Sequence, residues 1–163
     1  MPDRVQLRDF SDADAEAVDR IALAAFTQFK DQYSDWSAMA ASVSRMSDLS
    51  RHGEIVVAGL GGEVVGAVVY VPPDRPKAEY FDRAWPIIRM LVVDPAARGR
   101  GTGRALADEC IVRAARDRSP VIALHTSPIM TVALPMYLRM GFEFARKAPP
   151  ILGVPYAVYL LRL

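Results

Sequence analysis

The stretch VVDPAARGRGTGRAL, residues 92–106, ends an apolar run and then sets three glycines at alternate positions among three arginines. Gly99, Gly101 and Gly103 suit neither helix nor strand, so a turn or a close approach must account for them. Asp94-Pro95 stops the preceding run and a helical pattern follows, so the order is strand, glycine loop, helix. N–H groups left unpaired at a helix start, together with the helix dipole, make such a loop fit for phosphate. Arg98, Arg100 and Arg104 would add charge-assisted contacts. A glycine turn with solvated arginines fits the same composition. Two nucleotide patterns are excluded by spacing. No Lys-Ser or Lys-Thr follows the glycines, as a Walker loop demands, and the third glycine of G-x-G-x-x-G is replaced by Arg104.

Outward from the loop, residues 87–93 read as a strand, 102–117 as a helix with Leu106, Cys110 and Ala114 on one stripe, and 121–126 as a buried strand. Together they make a βαβ unit with a parallel pair and a right-handed crossover. Upstream, Val5, Leu7 and Phe10 mark a short strand, and Ser11 caps a helix over 13–29. A second helix covers 36–49. EIVVAGL and EVVGAVVYV flank Gly61-Gly62, a hairpin signal, and Pro72-Pro73 ends the second strand. Residues 74–85 form a polar and aromatic loop. Downstream, a short helix over 132–140 ends at Gly141, and strands at 143–146 and 155–163 enclose a proline-rich turn. The sum is one α+β domain over 1–163, a mixed α/β sandwich. Its sheet of about seven strands, mostly antiparallel and flanked by about four helices, holds one parallel crossover.

Bulk composition narrows the function. The chain has 163 residues, 52% hydrophobic and 24% charged, with 20 Lys and Arg against 19 Asp and Glu. A net charge of +1 argues against a nucleic-acid binder. Cys110 stands alone and the histidines are only His52 and His125, so no disulfide and no metal site is expected. The most apolar region, 55–71, is broken by glycines and Glu63, so no membrane partner is expected either. A cytoplasmic protein, monomer or homodimer, is the expectation.

VVDPAARGRGTG resembles the acetyl-CoA-binding signature of the GNAT N-acetyltransferase superfamily, V-x-P-x-x-[RQ]-G-x-G-[IVT]-G. Val93, Pro95, Arg98, Gly99, Gly101, Thr102 and Gly103 fall in place. ALPMYLRMGFEF is similar to the family's A-x-x-L-Y-x-x-x-G-F segment through Ala133, Tyr137, Gly141 and Phe142. The order of elements agrees over nearly the whole chain.

The resemblance implies a transfer of the acetyl group of acetyl-CoA, without a metal, to a primary amine by direct attack in a ternary complex. The acceptor would be a small amine or a protein or peptide amine. Arg98, Gly99, Arg100, Gly101, Thr102, Gly103 and Arg104 would hold the pyrophosphate, largely through main-chain N–H groups. Leu91, Val92 and Val93 would offer main chain to the pantetheine arm. Tyr137 would serve the departing thiolate, although its spacing with Ala133, Met136 and Met140 also suits a core tyrosine. His125 stands where some members place a catalytic carboxylate and is the candidate base, with Glu79 behind it. The loop residues Tyr80, Phe81 and Trp85, with Asp74, Glu79 and Asp82, would border the acceptor site.

The chain departs from the family at Ile87, where many relatives carry a glutamate, and at Met130, where asparagine is common. Pro135 must sit in a first helical turn or bend its helix. The missing glutamate leaves a non-catalytic acyl-CoA sensor as the alternative function.

Overall fold

Strands with valine on consecutive positions need cover on both faces. The computed structural model, which describes residues 4–163, supplies that cover. Strands β1 (Gln6–Asp9), β2 (Glu54–Leu60), β3 (Glu63–Val71), β4 (Ile87–Val93), β5 (Val121–Thr126), β6 (Glu143–Ile151) and β7 (Val154–Arg162) form a seven-stranded sheet. Their order is β1-β2-β3-β4-β5-β7-β6. Helices α1 (Ala15–Thr27) and α2 (Trp36–Val43) pack on one face, α3 (Thr102–Arg116) and α4 (Ala133–Arg139) on the other. Strand alternation sorts the core: Val57, Ala67 and Val69 meet the first helix pair, and Val56, Val68 and Tyr70 the second.

Three expected boundaries move, each for a local reason. α1 begins at Ala15 after a 3-10 turn, because the Asp14 carboxylate accepts the Ser11 N–H at 2.9 Å and is held by the Arg8 guanidinium. The helix expected over 36–49 stops at Val43, where the Ser44 hydroxyl turns back onto the Ala40 carbonyl. The segment after it is a 3-10 turn tied to α1 by Ser47, which donates its N–H and hydroxyl to Asp19, each at 2.7 Å. β6 continues through Pro149 and Pro150 to Ile151, and only Leu152-Gly153 makes the turn. It lies at the edge of the sheet and its register shifts between Ala148 and Ile151, the setting in which a strand tolerates missing donors.

The feature that positions the site is the one parallel pair. β4 and β5 are in register only at Ile87–Ala123 and Ile88–Leu124. Beyond these residues β4 carries a bulge: its register with β3 steps from Val69–Arg89 to Val68–Leu91, leaving Met90 unopposed at φ 55°. A left-handed conformation at a non-glycine residue is costly and persists only where surrounding structure imposes it. The bulge bends β4, and from Met90 to Val93 the strand has no partner on its β5 side.

Candidate active site

The glycine loop follows directly from this bent strand. Asp94 accepts the Ala96 N–H at 3.0 Å and starts a short 3-10 turn at Pro95, which lifts the chain off the sheet. Gly99 and Gly101 then take φ values of 81° and 74°, and Gly101 caps α3 from the left-handed region. A Cβ at either glycine would meet nothing in the protein, so the requirement there is conformational. The N–H groups of Gly99, Arg100 and Gly101 find no acceptor among the described residues. Those of Thr102, Gly103 and Arg104 begin a helix and have no intrahelical acceptor. Gly103 differs from the other two. Its φ is not positive, and a Cβ there would point among Leu91, Met136 and Val93 at 3.6–3.8 Å, into the cleft. Beneath the loop, the Thr102 hydroxyl is buried without a partner.

The loop forms the mouth of a cleft of about 450 Å³. Leu91, Val92, Val93, Arg98, Gly99, Gly101, Thr102, Gly103 and Arg104 all line it, with the end of α1 and the start of α4 opposite. Arg100 is exposed and outside the lining. Arg104 is shared with Asp108 at 3.2 Å. Arg139, at the end of α4, is a further cation on the cleft that the sequence reading did not single out. Among the described residues, no Asp or Glu lines it. A cradle of free N–H groups, guanidinium groups and an unpartnered strand edge fits a phosphorylated, amide-bearing arm such as that of coenzyme A.

A second cavity of about 300 Å³ shares Phe26, Leu91, Met130 and Ala133 with the first, so the two are neighbours across a common wall. Its wall includes Ile87 and Tyr156 from one core face and Ile88, Leu124 and Tyr137 from the other. The cavity therefore runs through the sheet, at the gap where β4 leaves β5. His125 and Tyr137 lie on opposite faces and both line this passage.

Tyr137 is 5% exposed and rests edge-on against Phe142, with ring centres 5.6 Å apart. Its hydroxyl makes no hydrogen bond among the described residues, and burial pushes its pKa up, so it stays a phenol. Pro135 falls in the first turn of α4, where a missing N–H costs nothing.

His125 is enclosed by aromatics. Tyr80 stacks on it at 5.3 Å, and Tyr156 and Phe81 approach at 5.1 and 5.8 Å. Its Nδ1 lies 2.7 Å from the Tyr80 hydroxyl. Burial, and secondarily the nearby charge of Arg89, lower its pKa to about 4, so the ring is neutral at pH 7. Glu79 is exposed and outside both cavities, as are Asp74 and Asp82. The loop carboxylates expected at the acceptor site thus lie outside its wall. Trp85 also leaves the site and stacks under Arg146 at 5.3 Å. His52 is exposed at the end of the second 3-10 turn.

The sequence reading missed Tyr80 as the partner of His125, Arg89 as the cation beside it, and Met90 as the bulge. Only Tyr80 carried a signal, its place in an aromatic loop.

The mixed sheet is thus opened at its parallel pair, with the glycine loop at the mouth of one cavity and the Tyr137 phenol on the wall of the other. The sequence model of the Acetyltransferase (GNAT) family matches residues 15–142, and the chain belongs to that family, whose members use acetyl-CoA. It is similar to N-acetyltransferase 8F1 of Rattus norvegicus, with 34% identity over 98 residues. That match takes in 60% of this chain and 42% of the relative, so the chain spans less than half of the relative's length. Among solved structures it is similar in fold to the GCN5-related N-acetyltransferase of Rhodopseudomonas palustris, with a TM-score of 0.77, 21% identity, and 98% and 96% of the two chains covered. It is also similar to yncA of Salmonella typhimurium, solved with its cofactor acetyl-CoA: TM-score 0.69, 18% identity, coverage 97% and 93%. Among the described residues, no helix is long and apolar enough to cross a membrane, and no three His, Cys, Asp or Glu gather as a metal site.

Proposed function

We propose that residues 1–163 act as one enzyme unit that transfers the acetyl group of acetyl-CoA to a primary amine in a ternary complex. The passage through the sheet carries this reading. It sets a second cavity beside the phosphate-suited cleft, with Leu91 and Ala133 on both, so two substrates approaching from separate sides would come together near the gap.

Acetyl-CoA supplies an acetyl thioester. In our reading the N–H groups of residues 98–104 hold its pyrophosphate, with Arg98, Arg104 and Arg139 adding charge, and the free edge of β4 from Leu91 to Val93 pairs with its amide arm. Tyr137 donates a hydrogen bond to the departing sulfur. Its raised pKa makes complete proton transfer uphill, so the phenol acts by stabilising developing charge.

His125 is the proposed proton acceptor. With Nδ1–H donated to the Tyr80 oxygen, Nε2 keeps its lone pair. An imidazole of such low basicity cannot deprotonate a free alkylammonium of pKa ~10. It can accept a proton from nitrogen that has already bonded to the acyl carbon, which is far more acidic. The amine therefore enters neutral, which a cavity lined by Lys77 and Arg89, with no carboxylate among the described residues, favours. Overall the nitrogen loses one proton to His125, which passes it to solvent, and the thiolate, only hydrogen-bonded by Tyr137, takes one from solvent. A cytoplasmic setting accords with Cys110, buried and unpaired.

The test is free-thiol release from acetyl-CoA over a panel of amines, with thermal shift by acetyl-CoA alone as control. Stabilisation together with turnover supports the enzyme, and Tyr137→Phe should then lower kcat about tenfold to a thousandfold while leaving the shift in place. Stabilisation without turnover would favour a sensor; stabilisation by ATP or NADH but not by acetyl-CoA would defeat both readings.

A further inference from the structure

We propose that the acceptor is a small primary amine on an apolar or aromatic body that also bears a carboxylate, and that Arg89 receives that carboxylate. The inference rests on the acetyltransferase reading above and narrows it to a substrate class.

The charge of the acceptor cavity is one-sided. Among the described residues, its wall holds no Asp or Glu, and its two cationic residues are Lys77 and Arg89. A polycation such as a polyamine would find no counter-charge there and would bring several ammonium groups up to a guanidinium. Lys77 is already committed, since its ammonium donates to the carbonyls of Pro72, Arg75 and Arg83 at 3.3, 2.8 and 2.9 Å and fastens the loop.

Arg89 is different. It forms no ion pair and no side-chain hydrogen bond among the described residues, yet it lines the cavity beside His125 and Tyr80. Arg89 is an exposed residue, so its guanidinium meets solvent as well as the cavity, whereas Arg113 is largely buried and pairs with Asp9, Glu54 and Glu109. An unengaged guanidinium in an aromatic-walled cavity is equipped for a planar, two-pronged carboxylate. The rest of the wall, including Tyr80, Phe81, Tyr156, Met39 and Val43, suits an apolar or aromatic body. The register of β4 sets Arg89 immediately before the Met90 bulge, so the carboxylate contact and the reaction gap are adjacent along one strand. That adjacency suits a carboxylate and an amine held near each other, as in an α-amino acid.

The experiment measures kcat/KM by thiol release for L-phenylalanine, L-tryptophan and L-leucine against phenethylamine, tryptamine and isoamylamine, with spermidine as the polycation. Acetyl-CoA binding is followed separately by thermal shift. At least one amino acid should exceed its decarboxylated partner by about tenfold or more, the scale of one charge-assisted contact. That ratio should fall about tenfold in Arg89→Gln and by less in Arg89→Lys, which retains the charge but loses the two-pronged geometry. A ratio near one, a ratio indifferent to Arg89→Gln, or spermidine as the best acceptor would overturn the proposal. Turnover of none of these amines, with acetyl-CoA still stabilising the protein, would overturn this acceptor class and leave the cofactor reading standing. Absence of both turnover and stabilisation would overturn the reading beneath it.

Discussion

His125 turns the acidity of the medium into a stability signal. Its pKa lies near 4 in the folded chain against 6.5 for a free imidazole. The unfolded chain therefore takes up a proton below about pH 6.5 that the folded chain refuses until about pH 4, and stability falls with pH across that window. Linkage between those two values removes about 2 kcal/mol from pH 7 to pH 5, and about 3 kcal/mol by pH 4. For a domain of this size the first step corresponds to a drop of about 4–8 °C in Tm. The perturbation is His125→Gln, which removes the titrating ring and leaves every other ionisable group in place. Urea denaturation of both proteins at pH 7, 6 and 5 should give a slope about 2 kcal/mol shallower in the variant, carboxylate contributions cancelling in the difference. Proton NMR of the wild-type ring supplies an independent midpoint. Parallel slopes, or a midpoint between pH 6 and 7, would refute the argument that burial among Tyr80, Phe81 and Tyr156 governs this residue.

Further expectations concern two glycines and the ion-pair network. Gly103→Ala adds a methyl that meets only ordinary contacts in a helical turn, so stability should hold or rise by about 0.5 kcal/mol while acetyl-CoA affinity, read by calorimetry, falls. Gly66→Ala would place a Cβ 3.0 Å from the Val92 carbonyl and 3.1 Å from the Thr102 methyl, at the contact of β3 with α3. It should cost about 1–3 kcal/mol by chemical denaturation and loosen the loop above it. Arg113→Ala leaves Asp9 and Glu109 without this partner and Glu54 with Arg116 alone, and should cost about 1–2 kcal/mol, with added salt recovering part of the loss in the variant.

The parts of this fold that were legible in the sequence are those fixed by neighbours along the chain. Paired apolar runs around Gly61-Gly62 specify a hairpin locally, and both glycines do take positive φ. The glycine loop is legible for the same reason, since strand end, turn and helix start are contiguous. Met90 was not legible: nothing in its side chain asks for a left-handed conformation, which arises because β3 and β4 change register around it. The acceptor cavity was equally hidden. Tyr80, His125 and Tyr156 come from three distant segments, and the direction in which Asp74, Glu79 and Asp82 point depends on how the loop is fastened by Lys77. β6 was cut short because two prolines weigh against a strand unless its edge position is known.

The brevity of the β4–β5 pairing also bears on how the chain moves. Two matched residue positions join a four-stranded leaf to a three-stranded one, with α3 and its loop strung across the seam. A molecule lodged in that seam would brace the leaves against each other, so amide protons in β4 and β5 should slow their exchange together when the cofactor site fills. Binding in this protein would then be felt as stiffness across the whole sheet, far from any atom the ligand touches.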